Sequence, residues 1–263
     1  MASPWFVRRE PRPAASTRLF CFPYAGAGAS VFRAWSSGLP PHIEAVAVQL
    51  PGRETRLHEP AVPSLEATLD SLAEEMKPWL DRPYAFFGHG MGGLIAFELA
   101  RRLTATGSGP VALVTGARRA PRLNAAAASL NGLEDADFMV EIQRRRGGIP
   151  ESVPPHRNLL EPLLPTLRAD MAAQEAYRYA AGPPLDCSVV ALGGTTDARV
   201  HARDLTPWVL ETRGAFSWNL IHGGHFFLHT APAQVLGCIV RSLHPLQRRR
   251  VTSHAAHRLY PFR

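Results

Sequence analysis

The amino-acid sequence predicts an α/β fold, a mostly parallel sheet covered by helices on both faces. Three observations carry that expectation. Short apolar runs recur along the chain and stop at glycine-bearing turns, and amphipathic segments of helical length separate them. The chain has 263 residues, 46% of them hydrophobic and 19% charged, enough for one large domain with a sizeable core. That composition excludes wholesale disorder, collagen-like repeats and coiled coil.

In order, the predicted strands are 18–24 (RLFCFPY), 44–50 (EAVAVQL), 84–87, 110–115, 188–192 and 216–221. The first ends at Ala25-Gly26-Ala27-Gly28-Ala29, the second at Pro51-Gly52 and the last at His222-Gly223-Gly224, as buried strands that run into turns do. Predicted helices cover 64–80, 91–106, 207–212 and 232–243. Sheets of this kind gather ligands at the carboxyl ends of their strands, where these glycine turns lie. Residues 123–179 break the alternation, because they read as several helices, including 135–145 and 159–179, inserted between two strands. Beside the ligand edge such an insertion is a lid or substrate-chamber wall, with ordinary packing helices as the alternative, and 145–150 (RRGGIP) is its expected joint. The expected organisation is therefore a core of 1–122 and 180–245, a helical insertion of 123–179, and a basic tail of 246–263.

Net charge is +7, from 29 basic and 22 acidic residues, but Arg241, Arg248, Arg249, Arg250, Arg258 and Arg263 supply six of those positive charges in a segment without an acid. A nearly neutral body with a basic, solvated tail argues against a nucleic-acid-binding face. Cys21, Cys187 and Cys238 lie in or near apolar runs without the paired spacing of a zinc site, which fits a reducing cytoplasm. His222 and His225 are three apart, yet no carboxylate or third histidine completes a metal site nearby, so no metal and no cofactor is expected. The N-terminus lacks the apolar core of a signal peptide, and no run of about 18 apolar residues spans a membrane.

The chemistry sits in Phe86-Phe87-Gly88-His89-Gly90-Met91-Gly92-Gly93-Leu94, which reads as a strand, a tight turn and a helix. This is the layout of a nucleophile elbow, Gly-x-Ser-x-Gly, whose flanking glycines let strand and helix backbones approach. Gly88 and Gly92 take the flanking positions, and Gly90 takes the centre with no side chain. Asp197, after the strand ending at Gly193-Gly194, and His225, in Gly223-Gly224-His225-Phe226-Phe227-Leu228, follow in the chain order of an α/β hydrolase: nucleophile, acid, histidine. From these places a carboxylate holds the imidazole and stabilises its charged form. The first glycine turn adds an oxyanion hole, with the Ala25 and Met91 amides as donors. That turn fits neither a phosphate-binding loop nor a clean dinucleotide fingerprint. Tyr24, His89, Phe226 and Phe227 are the expected substrate-lining residues, with backbone support for His89 and core packing for the two phenylalanines as alternatives. Residues 94–100 are apolar at helical spacing and read as core.

With these residues the chain resembles the type II thioesterases that accompany polyketide synthases and nonribosomal peptide synthetases, together with their fatty-acid relatives. The resemblance runs from Trp5 to Leu243 through 20–26 (FCFPYAG), 50–54 (LPGRE), the elbow, 165–170 (PTLRAD), 193–197 (GGTTD) and 223–228 (GGHFFL). It implies an α/β-hydrolase fold with a helical lid, and hydrolysis of acyl thioesters on the phosphopantetheine arm of an acyl or peptidyl carrier protein. The departure is Gly90, where the family carries serine. Ser30, Thr195 and Thr196 do not replace that hydroxyl, because they belong to other turns. Three readings follow: an inactivated or altered thioesterase; an enzyme recruited to use His225 as general base for noncovalent hydrolysis, cyclisation, elimination or isomerisation of a polyketide-like intermediate; and a noncatalytic acyl-binding protein.

Overall fold

The computed structural model describes residues 3–123, 129–130, 132–146 and 161–243. The expected joint at 145–150 falls mostly outside the described residues, and the basic tail 246–263 falls wholly outside them. Seven strands form one sheet: β1 (Phe6–Val7), β2 (Thr17–Phe22), β3 (Ile43–Val48), β4 (Tyr84–His89), β5 (Ala112–Gly116), β6 (Ser188–Gly194) and β7 (Phe216–Ile221). Their order is β1-β3-β2-β4-β5-β6-β7, parallel throughout except for the antiparallel β1. The predicted parallel sheet is therefore present, with β1 as an added edge strand too short to leave a periodic signal.

Alternate residues of each inner strand feed two separate cores. Phe20 and Phe22 of β2 and Tyr84 and Phe86 of β4 point to one face, and Leu19, Cys21, Ala85 and Phe87 to the other. Burial on both faces explains why these strands read as unbroken apolar runs. The first face is covered by helices Leu65–Met76 and Met91–Ala105, through residues such as Leu69, Leu72 and Leu94. The second is covered by Trp35 and by helix 232–243, through Val235, Leu236 and Ile239. Helix Leu65–Met76 opens at Ser64, whose side chain accepts the Ala67 N–H. The predicted helix at 207–212 is instead a short α-helix, Ala202–Leu205, continued by 3₁₀ turns over Thr206–Glu211. His201 and Asp204 form a reciprocal cap that starts the helix five residues early, and Pro207 sits where the tighter turns begin.

Between β5 and β6 the chain leaves the sheet and forms helices Asp135–Arg146 and Leu164–Ala176. These build a third, small core of Leu130, Phe138, Ile142, Leu164 and Met171 that reaches Ala25 at the end of β2. The connection direction reverses between β2 and β4, the adjacent strands from which the chain winds outward to either side. Their carboxyl ends are the place where such a sheet opens a crevice.

Backbone contact at that crevice is close. A Cβ on Gly88 would lie 2.2 Å from the Gly92 carbonyl oxygen, and one on Gly92 would lie 2.1 Å from the Phe22 carbonyl oxygen. Backbone does not yield as a flexible side chain does. Gly92→Ala is expected to destabilise the fold by about 3 kcal/mol in denaturant titration. Gly237→Ala, inside helix 232–243 beside only the mobile end of Arg241, is expected to stabilise it by about 0.5–1 kcal/mol.

Candidate active site

The elbow forms where β4 gives way to helix Met91–Ala105. Gly90 links them at φ +55° and ψ −113°, a conformation that strains any residue with a side chain. Its N–H donates to the Gly116 carbonyl at 2.8 Å, and its carbonyl accepts the Gly93 and Leu94 amides at 3.2 and 3.4 Å. The backbone thus holds the turn without help from a side chain at position 90. A Cβ there would meet only Tyr24 Cβ, at an ordinary 3.6 Å, so the position has room for a side chain that it lacks. Met91 is the first helical residue, and its N–H belongs to the turn that has no intrahelical acceptor.

The acid and the histidine arrive from the ends of β6 and β7, beyond β5 in the sheet. After β6, the Thr195 and Thr196 amides donate to the Ile221 and Gly223 carbonyls at 2.9 and 3.0 Å, tying the acid's turn to the histidine's loop. Asp197 is buried there. Its Oδ2 meets His225 Nδ1 at 2.8 Å, and its Oδ1 accepts the Arg199 and Val200 amides at 2.9 and 3.3 Å. Burial raises the Asp197 carboxyl, but hydrogen bonds from the imidazole and the two amides outweigh it and hold the group below the usual carboxylate range. The carboxylate is therefore charged and aimed. A proton on His225 Nδ1 leaves Nε2 with its lone pair, and the side chain keeps 15% of its surface exposed.

His89 lies beneath this pair, fully buried, with Nε2 2.8 Å from the His225 carbonyl oxygen. A carbonyl only accepts, so His89 Nε2 carries the proton and donates. Burial, reinforced by His225, pushes His89 down to about 3, so the ring is neutral. Of the two sequence readings, its burial fits backbone support and removes it from the substrate-lining set. Phe227 is corrected in the same way: it is 0% exposed, sits in the second core and packs on the His89 ring at 5.0 Å, because its short helix turns it inward. Tyr24 and Phe226 remain partly exposed, with their rings 5.0 Å apart. The Tyr24 hydroxyl pairs with His229 Nε2 at 2.9 Å, a partner that sequence reasoning missed because a lone histidine carries no positional signal. The Ser30 hydroxyl is engaged by Glu54 at 2.6 Å and does not stand in for a serine at the elbow.

In the glycine turn after β2, the Ala27 amide donates to the Tyr24 carbonyl at 3.1 Å and the Gly26 amide to Asp170 Oδ2 at 2.7 Å. Asp170, on helix Leu164–Ala176, also binds Arg53 through both carboxylate oxygens. The sequence showed both residues in matched segments, but no spacing rule joins positions so far apart.

The neutral, buried His89 makes a stability prediction. Its folded value of about 3 lies below the ordinary histidine value, so the unfolded chain binds its proton first as pH falls. Stability is complete above about pH 6.5 and declines toward about pH 3, with Asp197 adding loss of the same sign. His89→Gln keeps an N–H for the His225 carbonyl but does not titrate. Between about pH 4 and about pH 6, its unfolding free energy should depend on pH less steeply than the parent's by about one proton, on the order of 1.4 kcal/mol per pH unit. Equal slopes would contradict the burial of a neutral ring.

Comparison with known proteins identifies the family. The thioesterase domain family model matches residues 17–243. The gramicidin S biosynthesis protein GrsT of Aneurinibacillus migulanus is 38% identical over 91% of this chain and 93% of its own length. Thioesterase PikA5 of Streptomyces venezuelae is 38% identical over 86% of this chain and 80% of its own. Among solved structures, the type II thioesterase BorB from the borrelidin biosynthetic cluster superposes with a TM-score of 0.82 at 31% identity, covering 93% of this chain and 98% of that one. The chain belongs to the thioesterase domain family and has its α/β-hydrolase fold, with a glycine at the centre of the elbow.

Proposed function

We propose that this protein hydrolyses acyl thioesters held on the phosphopantetheine arm of acyl or peptidyl carrier proteins in secondary-metabolite assembly, by direct attack of water. The observation that carries the reading is the aimed His225–Asp197 pair, at 2.8 Å, beside an elbow with room but no nucleophile at Gly90. The likeness to GrsT, PikA5 and BorB supports the substrate class. Three buried free cysteines, and the absence among the described residues of any helix long and apolar enough to cross a membrane, support a cytoplasmic site of action.

In this mechanism a water occupies the space beside Gly90 where a serine side chain would lie. His225 Nε2 takes its proton as the oxygen attacks the thioester carbonyl carbon, and Asp197 stabilises the imidazolium. The carbonyl electron pair moves to oxygen, where the Ala25 and Met91 amides hold it as an oxyanion. The oxyanion collapses, the carbon–sulfur bond breaks, and the pantetheine sulfur leaves with the proton returned by His225. The products are a free acid and a free thiol, with no acyl-enzyme. The inserted helices over Ala25 act as a lid, and Tyr24 and Phe226 line the entrance. A released intermediate that brings its own hydroxyl or acidic carbon into the same space would meet the same base, which makes cyclisation or elimination the second reading. The room at Gly90 favours that reading as well.

The test compares the parent, His225→Ala and Gly90→Ser on an acyl thioester. In a serine hydrolase of another fold, losing the serine costs about six orders of magnitude and leaves roughly a thousandfold over water. The parent should therefore be slow but measurable, show no acyl adduct by intact mass, and lose at least about tenfold when His225→Ala is made in it. Gly90→Ser should gain on the order of a thousandfold or more and form an adduct. Parental turnover that His225→Ala leaves untouched would overturn the mechanism. Strain at φ +55° is expected to make Gly90→Ser about 1–2 kcal/mol less stable, a fall of a few degrees in Tm.

A further inference from the structure

Segments 50–54 and 165–170 meet at a buried ion pair that the mechanism above leaves unused. Arg53 Nη1 and Nη2 reach Asp170 Oδ2 and Oδ1 at 2.8 and 3.0 Å, and the two side chains are 3% and 6% exposed. Arg53 also donates to the Pro51 and Ala27 carbonyls, each at 3.2 Å, and its own carbonyl accepts from Gln49 at 2.7 Å. The same Asp170 Oδ2 accepts the Gly26 N–H at 2.7 Å. Two more contacts bring helix Leu164–Ala176 onto these loops: the Thr166 hydroxyl donates to the Gly52 carbonyl, and Leu167 lies over Gly26.

Gly26 follows Ala25, and its N–H lies in the peptide plane that joins the two. Asp170 therefore sets the orientation of that plane, which holds the Ala25 carbonyl and meets at the Ala25 Cα the preceding plane, the one that carries the Ala25 N–H, while Arg53 holds the carbonyl at Ala27. Bonds to ionised groups are short and directional, and a guanidinium fork fixes a carboxylate in one plane. With both charged groups buried, water does not replace either one. The geometry points to Asp170 as a positioning residue: helix Leu164–Ala176 shapes the oxyanion turn through it, with Arg53 as counter-charge, so Ala25 is aligned for its oxyanion only while that helix is docked. The inference deepens the proposed function and rests on its assignment of Ala25 as an oxyanion donor.

Two readouts separate this role from simple anchoring of a helix. In the parent protein, amide exchange across residues 24–28 should quicken at least tenfold in Asp170→Ala, while the elbow amides of 90–94 stay protected. In the Gly90→Ser background, Asp170→Ala should lower kcat about a hundredfold, the scale of losing one oxyanion donor, with KM changed by less than about threefold. Asp170→Asn keeps an oxygen for Gly26 and should restore kcat to within about tenfold. If Asp170→Ala does not fold, Arg53→Lys, which keeps the charge without the fork, should still quicken exchange at 24–28 and lower kcat about tenfold. Unchanged exchange and kcat in folded variants, or a loss confined to KM, would overturn the inference. A parent without His225-dependent turnover would overturn the proposed hydrolysis and leave the exchange result and the kcat–KM split standing.

Discussion

Three stretches of backbone meet around Gly90 with no side chain between them, and the candidate site is built on that contact. Gly88, at the end of β4, touches the first turn of the following helix, and Gly92 in that turn touches the Phe22 and Pro23 carbonyls after β2. The close approach sets the first turn of the helix that starts at Met91 against the chain leaving β2, because β2 and β4 are neighbours in the sheet. It also buries His89 below the turn, where a neutral ring holds the His225 carbonyl. A methyl group at either glycine would push these parts apart together.

The elbow keeps a positive φ at its centre although Gly90 carries no side chain there. The Gly90 N–H donates to the Gly116 carbonyl and the Gly90 carbonyl accepts from the Gly93 and Leu94 amides, and these bonds determine the turn from both sides. Glycine also removes a strain of about 1–3 kcal/mol that a side chain at this φ and ψ incurs. The base is equally independent of position 90. Asp197 takes its charge and direction from two amides and an imidazole, and none of them involves the elbow residue. An oriented carboxylate–imidazole pair without a nucleophile is suited to proton transfer from something mobile, which is the physical basis for placing water there.

The fold was legible in the sequence where burial is two-sided. Strands such as β2 and β4 announce themselves as apolar runs closed by glycine, and the order of Gly90, Asp197 and His225 marked the strand ends that the structure brings together. Legibility failed where tertiary contact decides. A two-residue edge strand, β1, has no period. Phe226 and Phe227 are chemically alike and adjacent, and only the turn of their loop leaves one partly exposed and sends the other to the core. Arg53 and Asp170 are two charges in unrelated segments, and only docking of the inserted helix makes them partners. The place of His89 in the elbow is legible, but its bond to the His225 backbone spans 136 positions and leaves no local trace.

If the aimed imidazole drives the reaction, its protonation state must set the rate. The most direct measurement is the pH dependence of acyl-thioester turnover by the parent Gly90 protein, taken beside the NMR titration of the His225 ring in the same sample. Turnover should rise as His225 loses its proton, and the two midpoints should coincide. A rate that ignores that titration would contradict the central claim.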